Sequence, residues 1–213
     1  MHTADRYIPA LKYHWLTPLY DPLVSRFMHE DKFKSRVIDM MQLKPGMRLL
    51  DVGCGTGTLA IMVMQAYPQV QVTGLDGDPE ILEIANKKTH DHGLEIKYDQ
   101  GVAYALPYPE DYFDRVVSSM VMHHLTRENK IQSFKEIRRV LKPGGEFHLV
   151  DFGPPRNMYT RLVSMVMQRL EPVGDNINGN LPTFIRSAGF SSVVEAGNSD
   201  SIAGILTFYR AIK

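Results

Sequence analysis

The spacing of apolar residues changes along this chain, and the changes divide it into elements. Phe33, Val37, Ile38 and Met41 recur at helical spacing. Asp21 offers an N-cap with Pro22 at the first helical position, and Lys44-Pro45-Gly46 supplies the stop. Two helices or one kinked helix are expected there, preceded over 7–22 by short, broken helix containing Pro9, Tyr13, Trp15, Pro18 and Tyr20. From Met47 onward strand and helix patterns alternate. An apolar strand over 48–52 runs into a glycine loop, a helix over 58–66 and a second strand over 70–75, and Asp78 with Pro79 then caps a helix to about His90. That alternation favours a parallel sheet with helices on both faces.

A shorter strand is expected over 95–98, then a loop with Pro107 and Pro109 and a strand from Phe113 to about Met120. Thr126 caps a helix carrying Ile131, Phe134, Ile137 and Val140, which stops at Lys142-Pro143-Gly144-Gly145 before a strand over 146–150. Residues 159–170 have a helical apolar pattern, whereas 171–180, rich in asparagine and glycine, reads as a mobile connection. A short helix over 182–188 and strands over 190–195 and 202–211 close the chain. No repeat, low-complexity tract or second domain interrupts it. A single domain over 1–213 is expected, with helical lid residues 1–45, a core over 46–152, and a substrate segment with closing strands over 153–213.

Composition narrows the functional classes. The 213 residues are 44% hydrophobic and 23% charged, with 24 basic residues against 24 acidic ones. A neutral chain has no general attraction for nucleic acid or an anionic membrane. No apolar run approaches the roughly 18 residues a membrane span needs, so no integral membrane association is expected. Residues 1–10 carry His2, Asp5 and Arg6 where a signal peptide would be apolar, and the one cysteine cannot form an intrachain disulfide, so a cytoplasmic location is expected.

The strongest chemical signal is Leu49-Leu50-Asp51-Val52-Gly53-Cys54-Gly55-Thr56-Gly57, at a sharp strand-to-helix turn. Glycines there let the backbone approach a ligand that a Cβ would block. A dinucleotide fingerprint wants glycine at the sixth position, where this chain has Thr58, so a nicotinamide oxidoreductase is disfavoured. About 20 residues beyond the loop stands Asp76, followed by Gly77, at the end of the next strand. A carboxylate there can accept from both hydroxyls of an adenosine ribose. Asp78, beside Pro79, is the better helix cap, which leaves Asp76 for a ligand.

At this point the chain resembles the class I S-adenosylmethionine-dependent methyltransferases. The resemblance rests on the glycine loop, Gly74-Leu75-Asp76, Ala103-Tyr104-Ala105-Leu106-Pro107, Phe113-Asp114 and Leu141-Lys142-Pro143-Gly144-Gly145, in that order. It implies a Rossmann-like, doubly wound α/β fold: a seven-stranded, mostly parallel sheet with the last strand antiparallel, helices on both faces and an amino-terminal helical lid. It also implies S-adenosyl-L-methionine as cofactor, with Gly53, Cys54, Gly55, Thr56 and Gly57 under its methionine part, Asp51 toward its amino group and Asp76 with Gly77 at the ribose. Gly101, Val102 and Ala103 would border the adenine, and Ser118, Ser119 and Met120 the sulfonium end. Relatives usually carry an aspartate where this chain has Val102, so Gly101, Ala103 or Asp99 would have to substitute, and a non-catalytic cofactor-binding module is the alternative function.

Methyl transfer needs the acceptor held behind the methyl and water excluded, and a base only where the acceptor atom holds its proton. His123 and His124, at the end of the 113–120 strand, are the candidates. As neighbours on a strand they would point to opposite faces, so one at most would serve. Asp151 could border the acceptor or cap the following loop. His90 and His92 at a helix end read as solvated residues, no metal is expected, and Cys54 reads as a small loop residue. Tyr7, Tyr13, Trp15 and Tyr20 with Met158, Met165 and Met167 could cover an apolar or aromatic acceptor, or the methionines could simply pack on the sheet. Tyr20-Asp21-Pro22, Val150-Asp151-Phe152-Gly153-Pro154 and Ala188-Gly189-Phe190 resemble, less closely, the ubiquinone/menaquinone biosynthesis C-methyltransferases. A small-molecule acceptor is therefore expected. The Asp-Phe-Gly-Pro-Pro loop is not the motif of base amino-methylation, and no nucleic-acid partner is expected; the sequence leaves the oligomeric state open.

Overall fold

The computed structural model describes residues 30–170 and 173–213. The first helix, α1 (Glu30–Met41), sets Phe33, Val37, Ile38 and Met41 into the core, so the helical stripe is real from Glu30 on. The Asp21-Pro22 start and the aromatic residues assigned to a lid lie outside the described residues. After it come β1 (Arg48–Val52), α2 (Thr58–Ala66), β2 (Gln71–Asp76), α3 (Pro79–Asp91), β3 (Lys97–Gln100) and β4 (Phe113–Ser119). A 3-10 turn (Met122–His124) leads into α4 (Arg127–Val140), β5 (Leu141–Phe152), α5 (Met158–Leu170), α6 (Gly174–Ile177), α7 (Leu181–Ser187), β6 (Ser192–Ser201) and β7 (Gly204–Ile212).

The strands form one seven-stranded sheet in the order β3-β2-β1-β4-β5-β7-β6. All pairs from β3 to β5 are parallel, while β7 runs antiparallel to both β5 and β6. Strand alternation feeds two cores. Leu49, Val72, Val117, Val150 and Phe208 meet α1 and α2 on one face, and Leu50, Val116, Phe147 and Leu149 meet Phe134, Ile137, Leu181 and Ile185 on the other. Because β1 and β4 are central and parallel, their carboxyl ends open side by side at the reversal of strand order, where ligands bind in open α/β sheets.

Caps fall where the side chains dictate. Asp78 accepts from the Glu80 N–H at 2.9 Å and Thr126 from the Asn129 N–H at 3.3 Å. Several expected elements move. The strand expected over 95–98 lies at Lys97–Gln100, since it must pair with Thr73 to Asp76 of β2. Within the stretch expected to be a mobile connection, residues 173–180 are ordered by contacts: Val173, Asn176 and Ile177 are buried around α6, and Asp175 accepts from Arg127 and Asn180. β6 extends to Ser201 because the β6–β7 hairpin continues the ladder beyond the β-rich stretch legible at 190–195. Met158 and Met165 do not pack on the sheet. They are 76% and 52% exposed, on an outward stripe with Leu162 and Val166.

Phe134 couples α4 to the sheet, is fully buried and lies 5.9 Å from the Phe147 ring. Phe134→Ala should lower the unfolding free energy by about 3–5 kcal/mol in urea titrations while leaving the native circular dichroism spectrum unchanged.

Candidate active site

The glycine turn leaves β1 through three residues in the left-handed region, Gly53, Gly55 and Gly57, with φ of 73°, 54° and 74°. Four N–H groups of the turn are engaged. Gly53 and Cys54 donate to the Leu75 carbonyl at 2.7 and 3.0 Å, Gly57 donates to the Cys54 carbonyl at 3.0 Å, and Gly55 donates to Asp76 Oδ2 at 2.9 Å. A Cβ on Gly57 would lie 2.3 Å from the Tyr98 hydroxyl, so that glycine is needed for packing. A Cβ on Gly55 would meet nothing within 4 Å. The space on the Cβ side of Gly55 is therefore open. Thr56 bonds Thr58 through the hydroxyls at 3.4 Å, and Cys54 is buried with its thiol pushed up by burial and by the nearby Asp51 and Asp76 charges.

Asp76 is more occupied than its sequence position suggests. Its second oxygen accepts from the Asp78 N–H at 3.1 Å, so it locks the glycine turn to the end of β2. A carboxylate has further acceptor capacity, and these two bonds leave room for hydroxyls. Gly77 offers its carbonyl to Gln100 at 3.4 Å. Gly101 donates to the Asp76 carbonyl at 2.9 Å, Val102 bridges to Ala105, and Ala103 is buried. Asp99 already accepts from Lys97 and from the Tyr108 hydroxyl, at 2.8 and 3.0 Å.

Asp51 stands out. It is 1% exposed at the end of β1, and neither of its carboxylate oxygens has a hydrogen-bond partner. Burial raises its pKa from 3.8 to about 7, the Lys34 charge drawing it down and the Asp76 charge pushing it up. An orphaned, buried carboxylate beside an open glycine turn fits a cationic amino group on a ligand. Lys34 escapes the motif reading, although its spacing with Ile38 and Met41 places it on the buried stripe of α1.

On the neighbouring strand, Ser118 is buried and donates to the Val52 carbonyl at 3.0 Å, whereas the buried Ser119 hydroxyl has no partner. Val121 touches the glycine turn: a Cβ on Gly53 would fall 2.4 Å from its Cγ2. His123 and His124 follow, and here the strand-based expectation is corrected. They lie on the 3-10 turn beyond β4, so they do not face opposite ways; their rings are 3.9 Å apart. His123 is the buried one, its Nδ1 2.7 Å from Asp151 Oδ1. Asp151 also accepts from the Phe152 N–H at 2.7 Å and the His123 N–H at 3.2 Å. Although burial pushes the other way, these partners hold the Asp151 carboxyl below its usual range. An ionised carboxylate only accepts, so His123 Nδ1 carries a proton in this pair. His124 is pushed down to about 4, by burial first and then by His123, despite Asp151, so it is neutral at physiological pH. Among the described residues no group of three or more histidine, cysteine, aspartate or glutamate side chains is placed to hold a metal.

Residues 49–145 match the family described as a methyltransferase domain. The chain is 32% identical to the demethylmenaquinone methyltransferase of Thermus thermophilus over 173 residues, covering 79% of this chain and 78% of that one. It belongs to the class I S-adenosylmethionine-dependent methyltransferases. To this methyltransferase, a Deinococcus radiodurans demethylmenaquinone methyltransferase is 34% identical over 62% of the chain, which spans only 55% of that relative. An uncharacterized methyltransferase of Synechocystis is 30% identical over 86% of each chain. YcgJ of Bacillus subtilis shares the fold, with a TM-score of 0.70 at 19% identity over 86% of this methyltransferase and 98% of that chain. The [4+2]-cyclase SpnF is also similar, with a TM-score of 0.63 at 27% identity over 79% of this methyltransferase and 60% of that chain. Among the described residues no helix is long and apolar enough to cross a membrane.

The Asp51 shift has a sign that can be measured. The carboxyl is raised in the folded protein, so ionisation costs folding free energy progressively between about pH 4 and pH 7. Asp51→Asn should therefore change stability little at pH 4 and raise it by on the order of 4 kcal/mol above pH 7, read as urea midpoints across pH without ligand.

Proposed function

We propose that this methyltransferase acts on a small aromatic acceptor carrying an ionisable ring hydroxyl, of the class to which the demethylmenaquinone of its named relatives belongs, and that it methylates a ring carbon beside that hydroxyl. The observation that carries this reading is the His123–Asp151 pair, which follows two residues after Val121, the side chain that packs against the glycine turn. Asp51, Gly53, Cys54, Gly55, Thr56 and Gly57 would hold the methionine part of S-adenosylmethionine, with Asp51 matched to its amino group. Asp76 and Gly77 would take the ribose, and Gly101, Val102 and Ala103 would border the adenine. With Val102 in the acidic position and Asp99 already engaged, the adenine side would rely on backbone groups and shape. Ser118, its hydroxyl spent on Val52, would contribute only wall at the sulfonium end, whereas Ser119 retains a free hydroxyl.

Bound S-adenosylmethionine supplies an electrophilic methyl group on a positively charged sulfur. The protein's part is positional and protolytic. His123 Nε2 accepts the proton of the acceptor hydroxyl, and Asp151 stabilises the imidazolium that results. The phenolate electrons then make the adjacent ring carbon nucleophilic. The hydrogen on that carbon leaves as a proton when the ring regains aromaticity and the His123 imidazolium returns its proton to the ring oxygen, so one methyl enters and one net proton departs. His124, uncharged, adds no competing positive charge beside the site.

Incubation with methyl-labelled S-adenosylmethionine and a reduced naphthoquinol should give a carbon-methylated product by mass spectrometry. Its absence from a quinol series, with label passing instead to another compound class in cell extract, would reject this acceptor. His123→Ala and Asp151→Asn should each reduce kcat by about 100-fold or more while leaving S-adenosylhomocysteine affinity within a factor of two or so.

A further inference from the structure

Among the described residues, Asp51 and Asn176 are the buried side chains with both polar atoms unpartnered. The cofactor reading accounts for Asp51. It does not account for Asn176, which is fully buried on α6, the turn that packs against Met122–His124 and against β5. What holds this turn in place does not involve the Asn176 amide. Asp175 accepts from Arg127 Nη2 at 2.5 Å and from Asn180 at 3.2 Å, and lies 3.7 Å from the buried Lys130 ammonium. The Gly179 N–H donates to the Asn176 main-chain carbonyl at 3.0 Å, while Val173 and Ile177 fill the core.

A primary amide brings two N–H donors and one strong acceptor, and burying them without partners costs free energy that an apolar side chain of similar size would avoid. Such a group persists where something else pairs with it. The helix that carries it lies against the turn bearing His123, the residue assigned above to the acceptor's hydroxyl. We propose that Asn176 binds a second oxygen substituent of the acceptor ring, so that the site selects aromatic diols over mono-hydroxylated rings. This rests on the acceptor reading given above. A ring hydroxyl both donates and accepts, and the two halves of a primary amide match that pair.

The test compares 1,4-dihydroxynaphthalene, kept reduced, with 1-naphthol, by calorimetry in the presence of saturating S-adenosylhomocysteine. The native protein should prefer the diol about tenfold or more, which is the scale of one hydrogen bond to a desolvated group. Asn176→Leu should bind the two compounds alike, keep its S-adenosylhomocysteine affinity and, without ligand, unfold at an equal or higher urea concentration than the native protein. Asn176→Ala should lose the same preference, so the readout survives if the leucine does not fit. Retained preference for the diol in these variants overturns the role of Asn176 alone, and so does unfolding of the leucine variant at lower urea, which would make the amide structural. If the native protein binds S-adenosylhomocysteine but neither naphthalene, the acceptor class falls, and this proposal with it.

Discussion

A buried carboxylate keeps its charge only if donors replace the water it has lost. Two aspartates at the carboxyl edge of this sheet meet that constraint in opposite ways. Asp151 collects the His123 ring and two main-chain N–H groups, and its carboxyl is held down. Asp51 collects none, and its carboxyl is pushed up. The first arrangement fixes a histidine; the second leaves a buried carboxylate with no hydrogen-bond donor. The parallel sheet makes both possible, because β1 and β5 flank β4 and deliver the ends of their strands to one edge.

The turn between these two aspartates is held by a further carboxylate. Asp76 grips both the Gly55 N–H and the Asp78 N–H, so the start of α2 and the start of α3 are set relative to one another. Tyr98, from β3, fills the space under Gly57 and Gly74 and bonds the Thr89 hydroxyl at 2.9 Å. The floor of the cleft is thus rigid, while the room above Gly55 remains open. The family's chemistry asks for that division, since transfer between two bound molecules depends on their alignment.

Much of this was legible in the residues. Strand β1 and helix α2 fall at the bounds read from apolar spacing and the glycine cluster, and the caps at Asp78 and Thr126 follow from side chains that accept locally. Local signals do not carry tertiary pairing. The roles of His123 and His124 depend on the chain leaving β4 in a 3-10 turn, which brings Asp151, 28 residues away, to one of two adjacent rings. The order of α6 likewise depends on Arg127 and on apolar contacts from the core, so an asparagine- and glycine-rich composition suggested mobility where tertiary contacts impose a turn. Lys34 and Lys130 could have been found: each shares a helical stripe with core residues, and a lysine on such a stripe needs a partner.

The central claim is that the orphaned carboxylate of Asp51 is reserved for the cofactor's ammonium group. If so, binding must ionise a group that is largely protonated in the free protein below neutrality. Calorimetric titration of S-adenosylhomocysteine at pH 6.5, repeated in buffers of different ionisation enthalpy, measures that proton directly. The account predicts release of a substantial fraction of a proton per site at pH 6.5, diminishing as the pH is raised above neutrality and absent in Asp51→Asn. Binding of the native protein with no proton released at pH 6.5 would contradict it.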